Sequence, residues 1–217
     1  RPGGRRNRVL ASAAEHPCVL QTAPVLAKLG IRLETVPVDR WARTDLNALE
    51  RMMGDDVLLV AAMHANNEIG TVVAPRAVAD IVHRYGSLYF CDAVQTFGWT
   101  EFTVDEIGAD LLSVSAHKLH GPKGVGALYV RSGTPLQALA VGGGQEREVR
   151  AGTENVAAIA GFGAAIAALP PVEVAEHAKS SAREAFRSGI GELDCVFSAE
   201  GCSDVLPGHL HLRIPGI

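Results

Sequence analysis

The sequence predicts an α/β fold with a mainly parallel sheet flanked by helices, and two observations carry that expectation. Short apolar runs alternate along the chain with segments of helical period. Glycine or proline stands at most of the joins, where each element must stop or start.

Taken in order, the first strand is expected over Val9–Ser12. Pro17, a favoured first helical residue, then opens a helix to Lys28 that Gly30 stops. A strand at Arg32–Val36, a helix over Asp45–Met53 and a strand at Val57–Met63 continue the alternation. The next helix starts at Pro75 and ends near Tyr85, where Gly86 supplies the stop. Strands follow at Leu88–Cys91, Leu111–Val114 and Val125–Val130, and a helix over Val156–Ala168 closes this core before Pro170 and Pro171. Beyond them the pattern changes to a long amphipathic helix, Val174–Leu193, and the start of a separate strand at Val196–Phe197. This change of pattern marks residues 1–170 off from residues 171–217.

Composition bounds the function. A chain of 217 residues, 47% hydrophobic and with a net charge of −4, has the make-up of an ordinary globular protein with one sizeable core. It contains no 18-residue apolar run of the kind that spans a membrane. The basic opening stretch, Arg-Pro-Gly-Gly-Arg-Arg-Asn-Arg, lacks the apolar segment that makes a signal peptide. A mildly acidic balance gives no reason to invoke nucleic acid. Four cysteines show neither Cys-x-x-Cys spacing nor a metal-ligand grouping, so no metal is expected, and a reducing, cytoplasmic setting is. Cys18 and Cys91 lie in apolar patterns and read as buried small hydrophobes; Cys202, in a polar loop, reads as inert.

The chemistry concentrates in Asp110–Arg131. There a buried strand breaks into a polar turn carrying Ser115, His117 and Lys118, and a glycine-punctuated segment leads into the next strand. A lysine just off a strand end, among small residues and phosphate-capable donors, is placed to form a Schiff base, because lysine becomes a neutral nucleophile when its surroundings lower its pKa. Taken alone, the same lysine reads far more readily as a solvated turn residue; it is the rest of the chain that overturns this reading. Four further segments accompany it in order: Glu15-His16-Pro17; Met63–Thr71 with Pro75; Asp92–Gly98; and Gly142–Arg147 with Arg150–Asn155. Asp92 ends an apolar strand, where open α/β sheets place their ligands, although an aspartate there also reads as a helix cap. Asn66, Asn67 and Gln95 also read as turn formers, and Thr153 as a cap.

Together these motifs resemble the group I cysteine desulfurases of the NifS/IscS type, within the fold-type I, class V aminotransferase-like enzymes. The resemblance is close from about Arg8 to Leu169 and thinner to Ile217. It implies that residues 1–170 are a large domain and residues 171–217 the beginning of a smaller one. It implies a pyridoxal 5′-phosphate cofactor bound covalently to Lys118, with His16 stacked on the ring and moving protons. It implies Asp92 on the pyridine nitrogen and Asn67 and Gln95 near the phenolic oxygen. Ser115 and His117 would hold the phosphate, and Thr153 would reach it from the second subunit of a homodimer. L-Cysteine is the implied substrate, and a sulfur-acceptor or iron–sulfur scaffold protein the implied partner. The family's N-terminal phosphate loop, its catalytic-cysteine loop and its substrate-carboxylate arginine have no counterpart in residues 1–217. The chain is thus expected to resemble an internal segment that alone releases no sulfide. Selenocysteine lyases share most of the pattern and are an alternative; a truncated, inactive dimerising scaffold is another of a different class.

Overall fold

The computed structural model describes residues 6–191 and 193–216; most of the basic opening stretch lies outside them. A six-stranded sheet forms the centre, in the order β2-β1-β3-β4-β5-β6. Its strands are β1 (Arg8–Ser12), β2 (Arg32–Val36), β3 (Val57–Ala61), β4 (Leu88–Asp92), β5 (Leu111–Ser115) and β6 (Gly126–Val130). The first five are parallel to their neighbours, and β6 returns antiparallel to β5. The 116–125 connection is too short for the crossover that a parallel return needs.

Helices α3 (Leu46–Met52), α4 (Pro75–Arg84) and α5 (Val104–Ile107) pack on the sheet. α4 turns Val78, Ala79, Ile81 and Val82 inward, against a core in which Leu10, Val36, Leu49, Val57, Val60, Tyr89 and Ile107 are almost wholly buried. Each such side chain contributes about 1.5–3 kcal/mol relative to an exposed one. The Tyr89 hydroxyl, inside this core, donates to the Ala62 carbonyl at 3.0 Å.

The strands lie where the sequence places them, to within two residues. The helix expected over Pro17–Lys28 is instead two, α1 (Pro17–Leu20) and α2 (Ala23–Lys28). Pro24 has no N–H to donate, and its ring would collide with the Leu20 carbonyl, so the chain breaks between them. The single turn α1 buries none of its residues, and Cys18 is exposed rather than buried as expected. Cys91 is buried, and Cys202 is half-buried with its thiol 3.8 Å from the Asp204 carbonyl. α5 was not evident in the sequence; a capping box between Thr103 and Glu106 starts it and Gly108 ends it.

α6 (Val156–Ala167) and α7 (Val172–Ile190) follow, then a two-stranded antiparallel sheet of β7 (Val196–Phe197) and β8 (Leu212–Arg213). Among the described residues no single helix is long and apolar enough to cross a membrane. Between β7 and β8 the chain folds back across the turn after β3: Val72 N–H donates to Asp204 O and Leu206 N–H to Gly70 O, both at 2.8 Å. Gly70 has φ +79°, and a Cβ there would lie 2.2 Å from that of His209. Only glycine fits this crossing.

Candidate active site

Strands β1, β3, β4 and β5 end on one edge of the sheet, and every candidate residue except Thr153 lies at or just after one of those ends. The chain leaves β1 for β2 on one side and returns to β3 on the other. The crevice at that reversal is where α/β sheets bind ligands.

After β5 the backbone tightens into a 3-10 turn over Ala116–Leu119, closed by His120 in the left-handed conformation. The turn buries Ala116 and Leu119 and turns His117 and Lys118 outward. Ser115 Oγ and His117 Nδ1 lie 2.7 Å apart, so two donors suited to a phosphate stand side by side. The indole N–H of Trp99 holds the Lys118 carbonyl at 3.2 Å and fixes the turn.

At the end of β4, Asp92 Oδ1 accepts the Val94 N–H at 2.9 Å. One carboxylate oxygen thus caps the local turn. Burial raises the Asp92 pKa above its ordinary value, opposed in turn by the Val94 N–H, the charge of His16, the Ser113 hydroxyl and the charge of Lys118. A carboxylate made more basic by burial is suited to holding a proton on a heterocyclic nitrogen.

His16 caps α1, its Nδ1 accepting the Cys18 N–H at 3.2 Å, which leaves Nε2 to carry the proton of the neutral ring. After β3, Asn66 forms the turn: its Oδ1 accepts the N–H groups of Glu68 and Ile69 at 3.0 Å, and its Nδ2 donates to Ala14 O at 3.3 Å. Asn67 is half-buried, and its side chain lies outside that network. His64, deeper in the same segment, is buried against Phe102 and paired with Thr96 Oγ1 at 2.9 Å; burial pulls its pKa down to about 4. It is a neutral core histidine.

A cleft of about 250 Å³ opens at this edge, lined by Gln95, Trp99 and Lys118 and by Lys179 and residues 206–209. Lys179, on α7, sets its ammonium 3.1 Å from the centroid of the Trp99 ring, and burial lowers its pKa. His209 is lowered as well, by burial and by the charges of Lys179 and Lys118. Neither residue stood out in the sequence, because each comes from a polar segment remote along the chain. Thr153 is exposed in the segment before α6 and makes no hydrogen bond among the described residues. The α6 cap is Asn155, so Thr153 is not the cap that its position suggested.

This donor set fits pyridoxal phosphate: an amine on a rigid turn, two phosphate donors beside it, a half-buried carboxylate for the pyridine nitrogen, and a histidine with a free N–H. The match extends to known proteins. The aminotransferase class-V model matches residues 3–196. The chain is 48% identical over 158 residues to the cysteine desulfurase IscS of Dictyoglomus turgidum, covering 73% of this chain and 40% of that protein. It is 41% identical over 207 residues to IscS 1 of Archaeoglobus fulgidus, covering 95% and 52%. The chain thus spans about half the length of such relatives or less. Among solved structures, a NifS-like protein superposes with a TM-score of 0.92 at 36% identity, covering 98% of this chain and 59% of that one. SspA in complex with cysteine gives 0.85 at 28%, covering 96% and 58%. With family match, relatives and fold in agreement, the chain belongs to the class-V aminotransferase family, among its IscS/NifS-like cysteine desulfurases.

Proposed function

We propose that this chain supplies the cofactor-binding part of a pyridoxal-phosphate-dependent cysteine desulfurase, which converts L-cysteine to L-alanine and passes the sulfur to an enzyme cysteine as a persulfide. The convergence of His16, Asp92, Gln95, Ser115, His117 and Lys118 on one sheet edge supports this reading. The family's cofactor, when bound, supplies an electron sink for charge developing at the substrate's α-carbon. Lys118 Nζ anchors that cofactor and, once released, moves the α-proton. Asp92 holds the pyridine nitrogen protonated. Ser115 Oγ and the His117 imidazole bind the phosphate, Gln95 and Asn67 orient the ring edge, and His16 Nε2 delivers a proton to the substrate side. Residues 206–209 cover one flank of the cleft and limit water there.

Of the chain's own cysteines, Cys91 is buried with its thiol pushed up to about 12, and burial also raises Cys18, so neither supplies a thiolate. The resemblance to the family implies a persulfide-forming cysteine in a loop that has no counterpart among residues 1–217. A homodimer is part of the same proposal. The exposed apolar side chains Leu139, Val141 and Val156 flank the segment of Thr153, and pairing would cover them while carrying Thr153 to the partner's phosphate. A cytoplasmic setting, and delivery of sulfur to a carrier for iron–sulfur cluster assembly or tRNA thiolation, complete the reading.

Borohydride reduction of the whole protein with pyridoxal phosphate, followed by peptide mapping, tests it. The expected label is on Lys118 and disappears in Lys118→Ala. A label on Lys123 or Lys179 instead would overturn the assignment.

A further inference from the structure

Glu15 is the least explained charged residue in the molecule. It lies in the turn after β1, next to His16 in sequence, and is only 4% exposed. Its Oε1 accepts the Met63 N–H, joining the loop after β1 to the loop after β3. Its Oε2 is buried with no hydrogen-bond partner. Among the described residues no lysine or arginine pairs with it. The titratable groups that face it are Asp92, Cys91 and Tyr89 on β4 and Cys18 on α1, all neutral or negative.

We propose that Glu15 is a positioning residue of the active site: a proton-bearing carboxyl that ties the His16 turn to the end of β3 and leaves Asp92 as the single negative charge beneath the cofactor. The physical reason is the price of the alternative. An ionised Glu15 would bury a second carboxylate near Asp92 with one oxygen unsatisfied, and buried charge without a partner is strongly disfavoured. The neutral acid keeps the Met63 N–H on one oxygen and carries its proton on the other. Burial, with the Asp92 charge adding to it and the Met63 N–H opposing, raises the Glu15 pKa to about 8. Near neutral pH, then, Asp92 alone acts on the pyridine nitrogen. Above about pH 8 a second anion forms beside it and changes the charge that the Lys118 linkage feels.

The inference rests on the proposed cofactor site for its consequence but not for the protonation state itself, and the two are measured separately. The first measurement is the infrared difference spectrum of the cofactor-free whole protein, wild type minus Glu15→Gln, at pH 6.5. A protonated-carboxyl band that bleaches with a midpoint near pH 8 is expected; its absence would overturn the proposal whatever the cofactor does. The second follows the visible absorption of bound pyridoxal phosphate from pH 6 to 10. Wild type should show an inflection near pH 8 that Glu15→Gln, unable to ionise, lacks; an inflection that persists in Glu15→Gln would refute the coupling to the site. Glu15→Ala, which removes the acceptor for Met63 N–H, should weaken pyridoxal phosphate binding about tenfold more than Glu15→Gln does. Equal weakening would refute the tie to β3. Failure of borohydride to label Lys118 would defeat the proposed function while leaving the infrared result standing.

Discussion

Replacing Gly70 by alanine tests whether the 204–209 segment is held over the candidate site by the contact the structure shows. Gly70 sits at φ +79°, where an L-residue costs about 1–2 kcal/mol. The added Cβ would fall 2.2 Å from His209 Cβ, far inside contact distance, so the segment must lift. Lifting it breaks Leu206 N–H→Gly70 O and Val72 N–H→Asp204 O, worth about 1 kcal/mol each. The sum is about 3–4 kcal/mol, or on the order of several hundredfold in a local opening constant. Native-state hydrogen exchange should therefore show the amides of Val72 and Leu206 unprotected in Gly70→Ala, while amides in β4 and β5 change little. Gly30→Ala is the control: its φ is +73°, but nothing lies within 4 Å of the added Cβ, so only the backbone strain of about 1–2 kcal/mol applies. Equal effects of the two substitutions, or unchanged protection at Leu206, would show that the crossing contributes nothing and that residues 204–209 do not close the cleft.

Further outcomes are expected. His64 is held neutral, with its folded pKa near 4 below an ordinary 6.5, so its contribution is complete above pH 6.5 and is lost as pH falls towards 4, by about 3 kcal/mol. Glu15 has the opposite sign: its stabilising effect is complete below about pH 4.5 and declines as pH rises through 8. The His64 part must therefore be read as the difference between wild type and His64→Asn in urea unfolding, and a constant difference from pH 4 to 7 would contradict it. Tyr89→Phe should cost about 1–2 kcal/mol with an unchanged urea m-value, because it strips the Ala62 carbonyl of its buried partner without opening a large cavity; a loss under 0.3 kcal/mol (roughly the scatter between independent sites) would refute that reading. In the whole protein, Asp92→Asn should slow α-proton loss about a hundredfold, corresponding to about 3 kcal/mol of transition-state stabilisation. An unchanged rate of isotope exchange at the α-carbon would leave Asp92 only the turn-capping bond to Val94.

Much of this site was legible because its residues follow strand ends. Apolar runs mark the strands and parallel strands end on a common edge, so Asp92, Ser115 and Lys118 were placed at strand ends by local pattern, while their roles came from the resemblance of the ordered motifs. Glu15 was itself part of a named motif, yet its importance was not visible, since whether a carboxylate is solvated or stripped of partners depends on what packs over it. Cys18 failed for the same reason: an apolar neighbourhood in sequence became a single exposed helical turn once Pro24 broke the helix.

The sequence by itself determined the alternation of strands and helices, the parallel edge and the lysine turn, because these follow from periodicity, from proline and glycine stereochemistry and from short-range spacing. Only the tertiary structure decided that Lys179 and His209 line the cleft with Lys118, that Gly70 must lack a side chain, and that Glu15 is buried with one oxygen unpartnered. Those outcomes depend on contacts between segments far apart in the chain and on burial, the quantity that sets the energy of a charge and that no local stretch of sequence contains.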